Sequence, residues 1–200
     1  LGAALTRDDR IDGGDGIDTV TLDGDYDLVL GQATLTHVEI LSLGAGHDYG
    51  LKTADGVVEA GTLMAIDGSA LGAGDTLSFD GSNEYDGAFS VTCLAGVVDF
   101  TGGKGDDVVV APLGVVAGSH FDGGGGYDQL DLYMQSSGES FSFDATLLVD
   151  MDAIKLFDGS VISMTLADDV VGAHQLMSID ASESGQIVFD GTAETDGRYA

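Results

Sequence analysis

The sequence predicts an all-β fold, a parallel β-solenoid built of two tandem modules. A glycine- and aspartate-rich nonapeptide occurs three times, and short alternating apolar stretches are separated by Asp-Gly turns. No segment of helical length shows an apolar stripe, and the 32 glycines with a single proline suit tight turns between strands. β-Sandwich modules are the alternative, but the Asn-Gly signal of two-residue hairpins is missing.

The nonapeptide has the pattern G-G-x-G-x-D-x-U-x, in which U is a large apolar residue. Its three copies are residues 13–21, 102–110 and 123–131. Glycines at positions one, two and four can adopt positive φ and expose their carbonyl groups. The position-six residues, Asp18, Asp107 and Asp128, each add an anionic oxygen. Residues seven to nine are expected to form a short strand with the apolar residue in the core. Oxygen ligands on a tight loop are typical of calcium sites.

This pattern resembles the RTX family, the glycine- and aspartate-rich calcium-binding repeats of secreted bacterial proteins. The resemblance implies a right-handed parallel β-roll, in which six residues of each repeat form a calcium-binding turn and three form a strand. It also implies that calcium lies between turns two repeats apart. The metal-site residues expected on this basis are Asp9, Asp12, Gly14, Asp15, Gly16, Asp18, Asp27, Gly103, Gly105, Asp107, Asp122, Gly124, Gly126 and Asp128.

Two of these candidates come from decayed repeats beside the first motif. Asp9 and Ile11 stand at positions six and eight of residues 4–12, and Asp27 and Val29 stand at those positions of residues 22–30. By the RTX spacing, Asp9 is expected to pair with Asp27. The same spacing sets Asp18 of the first motif against the turn at 31–39, which has no Asp.

Each candidate carboxylate also has a structural alternative. A position-six Asp can cap its own turn instead of binding a metal. Asp12 and Asp122, just before the glycines, are either ligands or turn formers, and Asp15 stands where an RTX side chain sometimes assists. Four other aspartates are expected to be turn residues only: Asp67, Asp80, Asp180 and Asp190.

The chain also repeats itself over a longer distance. The matching stretches are residues 11–14 with 121–124, 54–58 with 167–171, 63–67 with 176–180, and 79–87 with 189–197. The offsets are 110 and 113, with the slip placed in the glycine-rich loop at 71–76, where loops tolerate such changes. The sequence therefore predicts two modules, residues 1–101 and residues 102–200.

Charge and composition exclude several functions. The formal net charge of −29 argues against nucleic acid as a partner, and it favours bound cations that relieve self-repulsion. No apolar run is long enough to span a membrane, and Cys93 is the single cysteine. Neither G-x-S-x-G nor H-E-x-x-H occurs, so the chain is not expected to be an enzyme. A halophile-type acidic surface is an alternative, but Asp recurs beside Gly.

The function expected from the RTX resemblance is that of a calcium-binding extracellular module of a large secreted protein. Such a module would be structural or adhesive, as in a surface layer, a filament or an adhesin, and would fold when calcium binds. The alternative is an accessory module of a secreted enzyme, such as a protease, lipase or polysaccharide-modifying enzyme. The expected partners are calcium ions and copies of the chain itself in a filament or lattice. The resemblance implies type I secretion.

Overall fold

The computed structural model describes residues 4–133, 139–172 and 175–200, which are almost entirely β-structure. The strands are β1 (Ile11–Asp12), β2 (Thr19–Leu22), β3 (Tyr26–Leu30), β4 (Leu35–Thr36), β5 (Ile40–Leu43), β6 (Tyr49–Thr53), β7 (Leu63–Gly68), β8 (Thr76–Asp80), β9 (Ala88–Cys93), β10 (Val97–Thr101), β11 (Val108–Pro112), β12 (His120–Asp122), β13 (Gln129–Tyr133), β14 (Glu139–Phe143), β15 (Leu148–Val149), β16 (Ala153–Leu166), β17 (Leu176–Asp190) and β18 (Arg198–Tyr199). One helical turn, α1 (Leu113–Val116), follows Pro112. Within the described ranges, no helix is long and apolar enough to cross a membrane.

The strands stack in parallel into a β-solenoid of about 8 turns. Nine strands of a ten-stranded sheet follow one another in the order β2, β5, β7, β9, β11, β13, β16, β17 and β18, and the tenth, β14, pairs with β16. A six-stranded sheet contains β3, β6, β8, β10, β12 and β15, and β1 pairs with β4. The expected solenoid is confirmed, and the sandwich alternative fails because its sheets would be antiparallel.

Side chains that alternate along each strand fill the space between the sheets. One inward residue follows another from coil to coil in the larger sheet: Val20, Leu41, Ile66, Val91, Val109, Leu130 and Ile154. In the smaller sheet, Phe79, Phe100 and Phe121 are in register and fully buried. The rings of Phe79 and Phe100 stack 6.0 Å apart. Each such side chain contributes about 1.5–3 kcal/mol by leaving water.

The phase predicted for residues 22–30 is wrong. Val29 was expected to point into the core, but it is 40% exposed, whereas Leu28 and Leu30 are buried. Residues 26–30 belong to a continuous strand, and strand residues alternate between the two faces. Asp27 consequently lies on the outer face of β3.

The sequence duplication recurs in the strand pairing. Ile11 lies opposite Leu35 in the first copy, and the equivalent Phe121 lies opposite Leu148 in the second. The boundary predicted between residues 101 and 102 falls inside continuous sheets, because β11 pairs with both β9 and β13. The two copies are consecutive stretches of one stack.

Candidate metal centre

The three motif turns occur at one type of corner, where a coil closes and the next strand of the ten-stranded sheet begins. The turns at residues 13–18, 102–107 and 123–128 lead directly into β2, β11 and β13. Their position-eight residues are buried as expected: Val20, Val109 and Leu130. The predicted order of turn and then strand is therefore confirmed for all three motifs.

The first glycine of each motif is needed because oxygen atoms occupy the space beside it. A methyl group on Gly123 would lie 2.6 Å from Asp128 Oδ2 and 2.5 Å from the carbonyl oxygen of Asp150. At Gly13, a methyl group would lie 2.0 Å from the carbonyl oxygen of His37. These distances are too short for any side chain. In each of these corners, the nearby carbonyl oxygen belongs to the following coil.

The glycines at positions two and four are needed for backbone conformation in two of the turns and for space in the other. Positive φ occurs at positions two and four of the first and third turns, at Gly14, Gly16, Gly124 and Gly126. In the second turn the reason is space. A methyl group on Gly103 would lie 2.8 Å from the carbonyl oxygen of Glu84. A methyl group on Gly105 would lie 2.2 Å from the carbonyl oxygen of Gly87.

The carboxylate of Asp107 is fully used by the protein itself. Its Oδ1 accepts a hydrogen bond from the Phe89 N–H at 2.7 Å, and its Oδ2 accepts one from the Gly103 N–H at 2.8 Å. The side chain is 1% exposed. Asp107 thus ties its own turn to the preceding coil, which is the structural role left open for a position-six Asp.

Asp128 and Asp18 differ from Asp107 in one respect. Asp128 Oδ1 accepts a hydrogen bond from the Asp107 N–H at 2.8 Å, but its Oδ2 is buried without a hydrogen-bond partner. The residue as a whole is 0% exposed. Asp18 Oδ2 is likewise buried and without a partner. The two corners related by the duplication therefore each present one unsatisfied anionic oxygen.

The residues whose carbonyl groups face these two corners have an unusual backbone conformation. His37 has a φ of 51° and Asp150 a φ of 47°, in the left-handed region that residues other than glycine rarely adopt. These are the residues whose carbonyl oxygens lie beside Gly13 and Gly123. The same strained turn is thus present in both copies of the duplication.

Two further acidic residues complete the corners, and the nonapeptide pattern did not identify them. Glu39 Oε2 accepts a hydrogen bond from the Asp18 N–H at 2.8 Å, and Asp152 Oδ2 accepts one from the Asp128 N–H at 2.9 Å. The turn at 31–39 does lie against Asp18, as expected, but its acidic residue is a Glu. The signal that could have identified both residues is the offset of 113, which relates Glu39 to Asp152.

The corner at residues 123–128 contains two carboxyl groups whose pKa values are raised. Burial, followed by the charges of Asp107 and Asp152, raises the pKa of Asp128 to about 7. Burial also raises the pKa of Asp107 to about 6, with Asp106 and Glu84 adding to the effect. A cavity of about 260 Å³ opens beside this turn, and Asp128 and Asp152 are among its lining residues. The site concentrates negative charge that a cation would relieve.

Three other predicted ligands form hydrogen bonds within turns. Asp9 Oδ2 accepts hydrogen bonds from the Thr6 N–H and hydroxyl at 2.7 and 2.9 Å, which lowers its pKa. Asp12 Oδ1 accepts the Gly14 N–H at 3.2 Å within its turn and also lies 2.8 Å from His37 Nδ1 of the next coil, and Asp122 Oδ1 accepts the Gly124 N–H at 3.0 Å. Asp12 and Asp122 border the two corners without pointing an unsatisfied buried oxygen into them.

The remaining predicted carboxylates lie at less enclosed positions. Asp15 is exposed at the tip of the first turn. Asp27 lies in mid-strand on the outer face of β3, opposite Gly50, whereas Asp9 lies in a turn. The structure brings neither Asp9 nor Asp27 into a glycine-framed corner, and their proposed pairing remains a prediction.

Two clusters of acidic residues were not predicted from the sequence. Among the described residues, ligand atoms lie within 4.8 Å of one another in two triads, Asp55–Glu84–Asp86 and Asp168–Glu194–Asp196. The triads are related by the duplication. Glu84 is 0% exposed and accepts the Val58 N–H at 3.2 Å, and Glu194 accepts the Val171 N–H at 3.2 Å. These central glutamates hold a neighbouring loop in place.

Comparisons of the chain with family models, curated proteins and solved structures found no match. The functional evidence for this chain is therefore its own sequence pattern and the geometry of its corners.

Proposed function

We propose that the chain is a calcium-binding β-solenoid module of a secreted bacterial protein with a structural or adhesive role. The observation that carries this proposal is the buried carboxylate oxygen without a partner at Asp18 and at Asp128. A buried anionic oxygen left unpaired costs several kcal/mol. Its presence at two corners related by the duplication is best explained by a ligand that supplies positive charge.

The donor atoms at the two corners favour calcium over other metal ions. At the corner of residues 123–128, Asp128 Oδ2 and the Asp150 carbonyl oxygen face the same space beside Gly123, and Asp152 lies in the next coil. These are hard oxygen donors without a thiolate, and Cys93 is buried elsewhere in the core. Flexible oxygen sites with carbonyl and carboxylate donors suit calcium, whereas magnesium demands a smaller octahedral shell. A bound calcium ion would supply the charge that offsets the clustered carboxylates.

In this proposal, the chain folds when it binds calcium ions present outside the cell. The chain carries a net charge of −29, so its compact form is opposed by self-repulsion in the absence of cations. Asp107, Asp128 and Asp152 lie in successive coils of one corner, and burial raises the pKa of Asp107 and of Asp128 there. Secretion and a structural or adhesive role follow from the RTX resemblance, in which such modules fold on calcium outside the cell.

Calorimetric titration of chelator-treated protein with calcium chloride at pH 7.5 tests the proposal. We expect two sites, with one lost in Asp18→Asn and the other lost in Asp128→Asn. The matched control is the pair Asp67→Asn and Asp180→Asn, related by the same duplication. These two aspartates, expected to be turn residues, lie in β7 and β17, and each accepts the backbone N–H two residues further on. Unchanged calcium binding in the combined Asp18→Asn and Asp128→Asn variant would contradict the proposed site.

A further inference from the structure

Two surface hollows of the solenoid are related by the duplication. The first hollow, of about 110 Å³, lies beside the starts of β5 and β7, and the second, of about 260 Å³, lies beside the starts of β16 and β17. Six of the positions that line them correspond at the offset of 113: residues 37–39, 58, 62 and 63 in the first, and residues 150–152, 171, 175 and 176 in the second. Both hollows lie inside the stack, because the sheet continues past each of these strand pairs in both directions.

Each hollow has an apolar floor and an apolar rim. The floor consists of two buried side chains in each case, Val38 with Val58 and Met151 with Val171. The rim is a leucine that remains in contact with water, Leu63 at 46% exposure and Leu176 at 55%. A single exposed leucine needs no explanation, but this one recurs at the same place in both copies. A side chain that enters either hollow therefore meets apolar surface along its length.

The outer wall of each hollow is acidic. Glu39 and Glu59 line the first hollow, whereas Asp128, Asp150 and Asp152 line the second. The side chain of Glu59 is 65% exposed, and Asp150 is exposed as well. The proposed calcium corners use neither of these two carboxylates. Negative charge is thus available at the mouth of each hollow, above the apolar floor.

The two hollows differ at one position of this wall. In the first, His37 Nε2 lies 3.3 Å from Glu59 Oε1, and in the second Asp150 stands in place of the histidine. Among the described residues that line the second hollow, none is basic. The second hollow is therefore both larger and more acidic than the first.

We propose that the two hollows bind two lysine side chains of one extended basic polypeptide. The aliphatic stem of each lysine would lie on the apolar floor, and its ammonium group would pair with Glu59 in the first hollow and with Asp150 in the second. Lysine suits such a site because it combines an apolar stem with a charged end. The net charge of −29 likewise favours a basic partner. The ligand is distinct from the calcium ion of the corners.

The spacing of the hollows defines the spacing of the two lysines. Both hollows lie where the parallel strands of the ten-stranded sheet start, and five strand-to-strand steps lead from β5 to β16. At about 4.8 Å for each step, the hollows lie about 24 Å apart. An extended chain advances about 3.3 Å per residue, so lysines eight residues apart span about 26 Å and project from one face. Simultaneous engagement of both hollows would strengthen binding through effective concentration.

The test titrates the 200-residue chain, in calcium chloride at pH 7, with a synthetic serine- and threonine-rich peptide that carries two lysines eight residues apart. We expect saturable one-to-one binding in calorimetry or NMR. Replacing both lysines by 2,4-diaminobutyrate keeps the charges and shortens the stems, whereas norleucine keeps the stems and removes the charges. Each replacement should weaken binding about tenfold or more.

Variants of the chain locate the binding. The combined variant Leu63→Ser and Leu176→Ser removes the apolar rim of both hollows and should weaken binding of the lysine peptide about tenfold or more. Leu94→Ser, at a leucine of 48% exposure that lines neither hollow, is the matched control and should bind normally.

Three results would overturn the proposal. Equal binding of the lysine and diaminobutyrate peptides would show only a general attraction to an acidic chain, and equal binding of the norleucine peptide would show an apolar surface without charge recognition. Neither comparison depends on how a variant of the chain folds. The third result is calcium binding without binding of the lysine peptide, which would leave the calcium sites in place and remove the role of the hollows.

Discussion

Replacing Asp128 by Asn should stabilise the calcium-free protein at neutral and alkaline pH. Asp128 Oδ1 accepts the Asp107 N–H, and an Asn side chain can keep that hydrogen bond. Asp128 Oδ2 faces the carbonyl oxygen of Asp150, so two acceptors share the space beside Gly123. An amide group there would donate to the carbonyl and would carry no charge. Asp128→Asn therefore removes both the repulsion and the metal ligand.

The expected size follows from the pKa of Asp128, which rises from 3.8 to about 7 on folding. Each pKa unit corresponds to about 1.4 kcal/mol, so ionising this buried carboxyl costs on the order of 4 kcal/mol at pH 8. The folded-state pKa of Asp128 lies above the unfolded value. The native chain therefore has its full stability from the protonated carboxyl below about pH 4, and it loses this stability as the pH rises through about 7. The variant should thus exceed the native chain in stability at pH 8 and equal it at pH 4.

Urea unfolding followed by circular dichroism at pH 4, 6 and 8, in chelator and in calcium, measures both effects. Calcium at a hundredfold excess over Kd should stabilise the native chain by about 2.7 kcal/mol per site, and Asp128→Asn should lose one site's share. Asp107→Asn is the matched control. Both oxygens of Asp107 accept N–H groups, so its amide would oppose a donor at a cost of about 1–3 kcal/mol. This cost offsets the relief from removing a buried charge, so Asp107→Asn should gain less stability at pH 8 than Asp128→Asn. Lower stability of Asp128→Asn than of the native chain in chelator at pH 8 would refute the reasoning.

Three further predictions concern the ion, the corners and the core. Chelation at pH 8 should lower the melting temperature, with recovery in calcium and not in equimolar magnesium; a melting temperature indifferent to chelator would count against any structural ion. Gly123→Ala should destabilise the fold because its methyl group would lie 2.5 Å from the Asp150 carbonyl oxygen, whereas Gly74→Ala, with open space around it, should be nearly neutral in urea unfolding. Phe100→Ala should cost about 3–5 kcal/mol by leaving a cavity, whereas Val97→Ala on the outer face should cost little; equal effects would contradict the stacking described for β10.

The sequence by itself determined the repeating corner and its strand. Glycine spacing restricts the backbone locally, and the apolar residue two places after the Asp must enter the core, so the positions of Val109 and Leu130 followed without tertiary information. Alternation of apolar residues also indicated that strands would dominate. The error at Val29 arose because a decayed motif without its glycines does not restrict the turn, and the strand's own alternation set the phase instead.

Only the tertiary structure decided which position-six carboxylate keeps an unsatisfied oxygen. Asp107 and Asp128 occupy the same position of the same motif, yet Asp107 accepts two N–H groups and Asp128 accepts only that of Asp107. The Gly124 N–H, which corresponds to that of Gly103, donates to Asp122 instead. The carbonyl oxygen of Asp150 likewise reaches its corner from the following coil. Coil lengths in this solenoid vary, and hydrogen bonds between coils therefore join residues whose separation no short motif encodes.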